Sequence, residues 1–292
     1  MKTYTIKDFE KQFPTNDACL DFLFKSRYPK GVFCEKCGKI TKHYKRANMK
    51  FYSCEFCGMG VAPASGTIFH KSNTPLKSWF HAIFLMSSTK TGISAKQLQR
   101  ELGITYKTAW RMFKQIRKLM DEGINPLSGQ VEVDETYIGG KHAGKRGRGA
   151  SGKTAVMGLT ERDGKAITKV VPDVKARTLL PMIWKRVVRD STIFTDELPS
   201  YNHVGKLGYA HEIVQHAAKQ YVNGVAHVNT IESLWSTIKR GIDGVNHSVS
   251  PRYLQSYLDS YIYRYNHRKD ETPMFLSLLE RVSTLKQVVQ PF

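Results

Sequence analysis

Two sets of residues in this chain can hold metal, and they use opposite ligand chemistry. Cys34-Glu35-Lys36-Cys37 and Cys54-Glu55-Phe56-Cys57 are thiol pairs with two residues inside each pair and sixteen between the pairs. That spacing is the ligand pattern of a structural zinc ribbon, a site closed by four thiolates. The second set is acidic. Asp134 interrupts the apolar run Val131-Glu-Val-Asp-Glu-Thr-Tyr-Ile138, and Asp196 ends the run Thr192-Ile-Phe-Thr195. Aspartate is a poor strand former, and burying a lone carboxylate costs several kcal/mol unless it is paired or bound to a cation. Ends of strands are also where open α/β sheets build their sites. The two aspartates therefore suggest a shared site for an oxygen-loving cation such as Mg²⁺ or Mn²⁺. A third candidate, Glu232, lies in His227-Val-Asn-Thr-Ile-Glu-Ser-Leu-Trp235, with Lys239 two helical turns further along. Glu132 and Glu135 flank Asp134. Strand alternation points Glu132 with Asp134 and Glu135 away, and either could assist.

The elements that must carry these residues follow from local pattern. Residues 1–33 read as a helical segment with Phe9, Phe13, Leu20, Leu23 and Phe24 apolar, and 34–66 as the ribbon. Gly38 and Gly58 each follow the second cysteine of a pair, where a metal knuckle turns tightly. So short a module has too little core to fold without its ion. Thr74-Pro75 reads as a cap and first helical residue. A helix with Leu76, Trp79, Phe80, Ile83 and Phe84 at helical spacing follows. Ser94 and Gln97 form a capping-box pattern before a short helix ending at Leu102-Gly103. Thr105 then caps a longer helix striped by Ala109, Met112, Phe113, Ile116 and Leu119. The pair reads as a helix-turn-helix over 74–122, with Tyr106, Lys107, Thr108, Arg111 and Lys114 turned out towards bases and phosphates.

After a linker at 121–130 the pattern changes. Strands fit 130–138, 154–161, 166–172, 191–195 and 210–215, and helices fit 176–188, 229–240 and 251–266, with Asp163-Gly164 as a hairpin signal. Strands followed by alternating helix and strand give an α/β catalytic domain over 128–280, in the order of an RNase H-like fold. The whole chain is multidomain α+β. Between the first two strands lies GGKHAGKRGRGASGK, whose Lys145, Arg146 and Arg148 could grasp phosphate.

Charge and composition narrow the partners. Lys and Arg total 45 against 25 Asp and Glu, a net charge of +20, which is the footprint of a polyanion binder. The longest apolar run, Ala82–Met86, falls far short of the ~20 residues needed to span a bilayer, and the N-terminus lacks an apolar signal stretch. A reducing, cytoplasmic compartment follows, where paired CxxC motifs mean metal more often than disulfides. Cys19, between Ala18 and Leu20, reads as a buried core thiol.

The stretches FPTNDACLDFLFKSRYP, GTIFHKSNTPLKSWF, GISAKQLQRELGITYKTAWRM, VEVDETYIGG, FTDELPSY and HVNTIESLWSTIKRGI resemble, in order and nearly end to end, the bacterial insertion-sequence DDE transposases of the ISXO-like group, insertion-sequence family 1595. The resemblance implies a zinc ribbon and helix-turn-helix ahead of an RNase H-like domain. It places the acidic catalytic residues on Asp134, Asp196 and Glu232 and the following basic residue on Lys239. Some relatives carry Asn as the third residue, and Asn229 lies on the same helix. Glu232 is the expected ligand and Asn229 its neighbour. The implied activity is nicking at transposon ends and attack of the freed 3′-hydroxyl on target DNA. The implied partners are double-stranded DNA, both ends and target, and further copies of the chain assembled on it in the prokaryotic nucleoid. Two rival readings share these motifs: a domesticated transposase acting as a non-catalytic DNA-binding regulator, and a related RNase H-like nuclease.

Overall fold

The computed structural model describes residues 4–47, 49–123, 126–139, 152–214 and 228–284. The chain divides into two compact units, Met1–Thr89 with Ala95–Leu119 and Asp270–Phe292 in the first, and Lys90–Ser94 with Met120–Lys269 in the second. Among the described residues no helix is long and apolar enough to cross a membrane.

The first unit opens with α1 (Ile6–Gln12) and α2 (Asn16–Arg27). The single helical segment expected here is broken at Phe13-Pro14, and both helices have their own N-caps. Thr5 and Asp8 form a capping box on α1, and the Thr15 hydroxyl accepts the Ala18 N–H on α2. Five short strands follow. β1 (Val32–Cys34) pairs antiparallel with β2 (Lys39–Thr41), and β4 (Tyr52–Cys54) lies antiparallel between β3 (His43–Lys45) and β5 (Gly60–Val61). Phe24 of α2 stacks on Tyr52 at 3.8 Å and joins the helices to the ribbon. Cys19 is fully buried, as its neighbours predict, and burial pushes its thiol up to about 12.

Three helices complete this part of the chain: α3 (Leu76–Ser88), α4 (Ala95–Leu102) and α5 (Tyr106–Leu119). The start of α3 differs from expectation. Pro75, extended at ψ 140°, is itself the N-cap, and no side chain at that position caps the helix. The free N–H of Lys77 is satisfied from a distance instead, by Asn16 Oδ1 at 2.9 Å. Between α4 and α5, Gly103 takes φ +61°, and the Thr105 hydroxyl accepts the Thr108 N–H at 3.4 Å. The apolar stripe of α5 is buried as its spacing predicts. The last described helix, α9 (Met274–Thr284), packs in this unit too, although it begins inside the 128–280 span expected for the catalytic domain. Its Phe275 ring meets those of Phe9, Phe13 and Phe84 at 5.7–5.8 Å. A helix with Phe275, Leu278, Leu279 and Val282 on one face must bury that face, and the aromatic cluster of α1 and α3 takes it.

The second unit is built on a five-stranded sheet of β6 (Gln130–Ile138), β7 (Thr154–Glu161), β8 (Ala166–Val170), β9 (Thr192–Thr195) and β10 (Ala210–Ile213). The strand order is β10-β9-β6-β7-β8. β7 runs antiparallel to β6 and β8, while β9 is parallel to β6 and β10 to β9. Helix α6 (Ala176–Arg186) covers one face through Val131, Val133, Met157, Leu159, Leu179 and Ile183. Helices α7 (Asn229–Gly241) and α8 (Pro251–Asn266) cover the other through Val156, Phe194, Ile231, Leu234, Trp235 and Leu258. Side-chain alternation along β6 sets the roles of its residues. Odd positions 131 and 133 feed the α6 core, and even positions 132 and 134 face α7.

Candidate active site and metal centres

Each cysteine pair sits on a tight turn at a strand end. Gly38 N–H bonds Cys34 O at 2.8 Å with φ +64°, and Gly58 N–H bonds Cys54 O at 3.1 Å with φ +71°, so both positions need glycine's freedom. The four sulfurs lie within 4.8 Å of one another. Cys34 Sγ is 3.4 Å from Cys57 Sγ, and Cys37 Sγ is 3.8 Å from Cys54 Sγ. Four thiolates each 2.3 Å from a central zinc ion would be about 3.8 Å apart. The donor set and its size both fit such an ion, and all four positions are taken by protein.

The acidic site grows out of a mismatch between strands. β6 pairs with β9 only from Gln130 to Glu132, and β9 ends at Thr195. Asp134 therefore lies on the stretch of β6 just past that pairing, and Asp196 just past the end of β9. The Thr195 hydroxyl donates to the Asp196 carbonyl at 2.8 Å, and Asp196 Oδ1 accepts the Leu198 N–H at 3.0 Å, which fixes the turn that carries it. Carboxylate oxygens of Asp134, Glu135 and Asp196 come within 4.8 Å of one another. Burial pushes the Asp134 carboxyl up to about 6, and the charges of Asp196 and Glu232 add to the rise. The Glu135 backbone N–H and the Trp235 indole oppose it by donating to Asp134.

Glu135 obeys strand alternation and still joins the cluster. It faces the α6 side, where the buried Tyr201 hydroxyl donates to its Oε2 at 3.0 Å. Burial and the negative charges of Glu135, Asp134 and Asp196 hold the Tyr201 phenol well above its usual range. Tyr201 thus stays protonated and donates, fixing one Glu135 oxygen.

Glu232 lies in the first turn of α7 and is exposed. Its charge is felt by Asp134, but among the described residues the converging group is Asp134, Glu135 and Asp196. Asn229, the first residue of α7, is exposed, and so is Lys239 in its last turn. The placement of α7 depends on a residue the sequence left without a definite role. Glu132 is wholly buried. It accepts from Arg162 Nε at 3.1 Å, from the Thr230 hydroxyl at 3.0 Å and from the Ile231 N–H at 3.0 Å. Val228, the residue at the N-cap, offers no side-chain cap, and a strand carboxylate does that work. Arg162 in turn lies 3.8 Å over the Phe194 ring. A glutamate two positions before Asp134, on the same face of an apolar strand, is the one sequence signal for this device.

Of the residues expected to meet DNA, Tyr106, Lys107 and Lys114 are exposed on α5, and Thr108 and Arg111 are half-buried. Lys145, Arg146 and Arg148 lie outside the described residues.

Residues 126–266 match the family model of the ISXO2-like transposase domain, and residues 14–59 match that of the transposase zinc-ribbon domain. The first span contains Asp134, Asp196, Glu232 and Lys239, and the second all four ribbon cysteines. The chain is 28% identical over 272 residues to an uncharacterized protein in transposable element ISH50 of Halobacterium salinarum, covering 86% of this chain and 91% of that one. It is 28% identical over 126 residues to an uncharacterized transposase-like protein of Haemophilus influenzae, covering 43% of this chain and 94% of the relative. A chain in the crystal structure of a pre-cleavage Mos1 transpososome is 13% identical with a TM-score of 0.27, covering 70% of this chain and 76% of that one, too slight a likeness to argue from. With a zinc ribbon and a transposase domain of one and the same group in their proper order, this chain belongs to the ISXO2-like transposases of insertion-sequence family 1595.

Proposed function

We propose that this protein binds the end repeats of an insertion sequence and catalyses metal-dependent cleavage and strand transfer of DNA. The observation that carries the proposal is the convergence of Asp134 and Asp196 where β6 and β9 part. The donor set there is oxygen only, which suits Mg²⁺ or Mn²⁺. Asp134, Asp196 and Glu232 would hold such cations, which would supply activation of a water or 3′-hydroxyl and charge relief at the leaving oxygen.

The chain's own residues do the rest. Asp134 and Asp196 hold the charge that gathers cations, and Glu232, in the first turn of α7 and felt by Asp134 through its charge, is the third catalytic carboxylate. Lys239, two turns further on, contacts a phosphate near the scissile bond. The sheet supports an RNase H-like reading: the first three strands form an antiparallel meander, and the fourth and fifth add in parallel beside the first. The helix pair α4–α5 supports a helix-turn-helix reading, with Tyr106, Lys107, Thr108, Arg111 and Lys114 on the contacting helix. A charge of +20 suits duplex DNA, both element ends and target, as partner, with several copies of the chain assembled on it.

The test is cleavage of duplexes carrying the element's terminal repeats, in Mg²⁺ or Mn²⁺, by wild type and Asp134→Asn. The variant should bind the duplex and not cut it. Wild-type cleavage persisting in EDTA would sink the metal mechanism. Specific binding without cleavage in any divalent ion would make the protein a regulator instead. Preference for RNA–DNA hybrids or four-way junctions would make it a nuclease of the same fold.

A further inference from the structure

The indole of Trp235 is buried in the α7 core, where it would pass for packing alone. Its one polar atom, however, is aimed at the acidic site: Nε1–H donates to Asp134 Oδ2 at 2.9 Å. Indole N–H is a donor only, so this bond favours the ionised carboxylate. The ring can reach Asp134 because the partner position on β7 is glycine. Gly158 pairs with Asp134 in the β6–β7 register, and a Cβ there would stand 2.5 Å from Trp235 Cζ2 and 2.8 Å from Cη2. Side chains cannot approach so closely, so any other residue at 158 would push the indole off Asp134.

The bond has a counterpart one turn earlier on α7. Glu132 and Asp134 share a face of β6, and both hold α7: Glu132 through Thr230 and the Ile231 N–H, Asp134 through Trp235. Glu232 lies between those two anchor points. From this we infer that Trp235 is a positioning residue for the cation site: it holds Oδ2 of Asp134, so fixing the carboxylate beside Asp196, and is admitted by Gly158. The inference rests on the reading of Asp134 as a metal ligand. Hydrogen bonds of this kind to a ligand typically contribute 10–100-fold to metal affinity or activity.

The experiment uses the full chain with ¹⁵N-labelled tryptophan, titrated with Mg²⁺. The chain has four tryptophans, and the Trp235 indole resonance is assigned by its loss in Trp235→Phe, or by single replacement of the other three if that variant does not fold. The Trp235 resonance should move as Mg²⁺ binds. Trp235→Phe keeps the ring and the packing, and should bind Mg²⁺ about 10–100-fold more weakly by calorimetry, with its DNA binding unchanged. An indole resonance unmoved by saturating Mg²⁺, or wild-type Mg²⁺ affinity in Trp235→Phe, would overturn the inference. Wild-type chain that cuts terminal-repeat DNA while the indole stays still would overturn it and leave the transposase reading intact. A moving indole in a chain that cuts no DNA would do the reverse.

Discussion

The carboxylate of Glu132, wholly buried on the central strand, accepts the backbone N–H of Ile231 at 3.0 Å and so fastens the start of α7 to the sheet. The same carboxylate holds the Arg162 guanidinium, which is itself largely buried. Glu132→Ala would leave a buried charge unpaired and the helix uncapped together. The expected loss is about 3–5 kcal/mol in urea unfolding, the usual result of breaking a buried pair from one side. Glu132→Gln keeps an acceptor for Ile231 and should lose less.

Asp134 should make the metal-free protein less stable as pH rises. Its folded value of about 6 lies above that of an exposed aspartate, so the folded state holds the proton more tightly than the unfolded chain. The resulting stabilisation is complete below pH ~4 and is lost as pH climbs through ~6, up to about 3 kcal/mol. Asp134→Asn should flatten that slope and be the more stable protein at pH 7 in EDTA. Mg²⁺ should restore the wild type and not the variant. Unfolding midpoints measured from pH 4 to 8 check each point.

Zinc removal should act on a different part of the molecule. Cys37→Ser, or a strong chelator, should release one zinc per chain and expose residues 32–61 to protease, since the small sheets there have little core of their own. Asp134 and Asp196 lie outside that module, so the Mg²⁺ isotherm should be far less affected than the zinc content.

Phe275→Ala should destabilise the first unit by about 3–5 kcal/mol, the range for a buried aromatic cut to alanine. The ring is 2% exposed and touches Phe9, Phe13 and Phe84. Hydrogen exchange should show the loss of protection in α1 and α3, and little change in β6 and β7.

Lys107→Ala and Lys114→Ala test the helix-turn-helix reading. Both lysines are exposed on α5. If each meets a phosphate, each substitution should lower the slope of log affinity against log salt by about 1, with weakened binding to all duplexes alike.

Much of the second unit was legible because its signals are local. The strand-forming runs over 130–138 and 154–161 and the turn at Asp163-Gly164 gave strands with the observed bounds, and Asp163 takes φ +59° as such a turn requires. Asp134 and Asp196 stood out because each contradicts its strand. What was not legible depends on partners far along the chain. Nothing near Glu132 announces that it caps a helix beginning at Asn229, and nothing near Asn16 announces that it satisfies Lys77. Glu135 was placed on the correct face, but alternation cannot show that β9 stops short and leaves its carboxylate room to join Asp134 and Asp196. Trp235 is buried among the apolar residues of α7, and nothing in a helical stripe reveals that its N–H bonds Asp134.

The return of α9 to the first unit has a genetic consequence. A nonsense codon just after Lys269 would spare every acidic residue of the site and both cysteine pairs, yet delete the helix whose Phe275 closes the aromatic cluster. Such a shortened product should be cleared by proteolysis rather than accumulate as a stable fragment. If the chain acts as proposed, loss of the last helix should therefore silence the element without leaving behind a dominant-negative repressor.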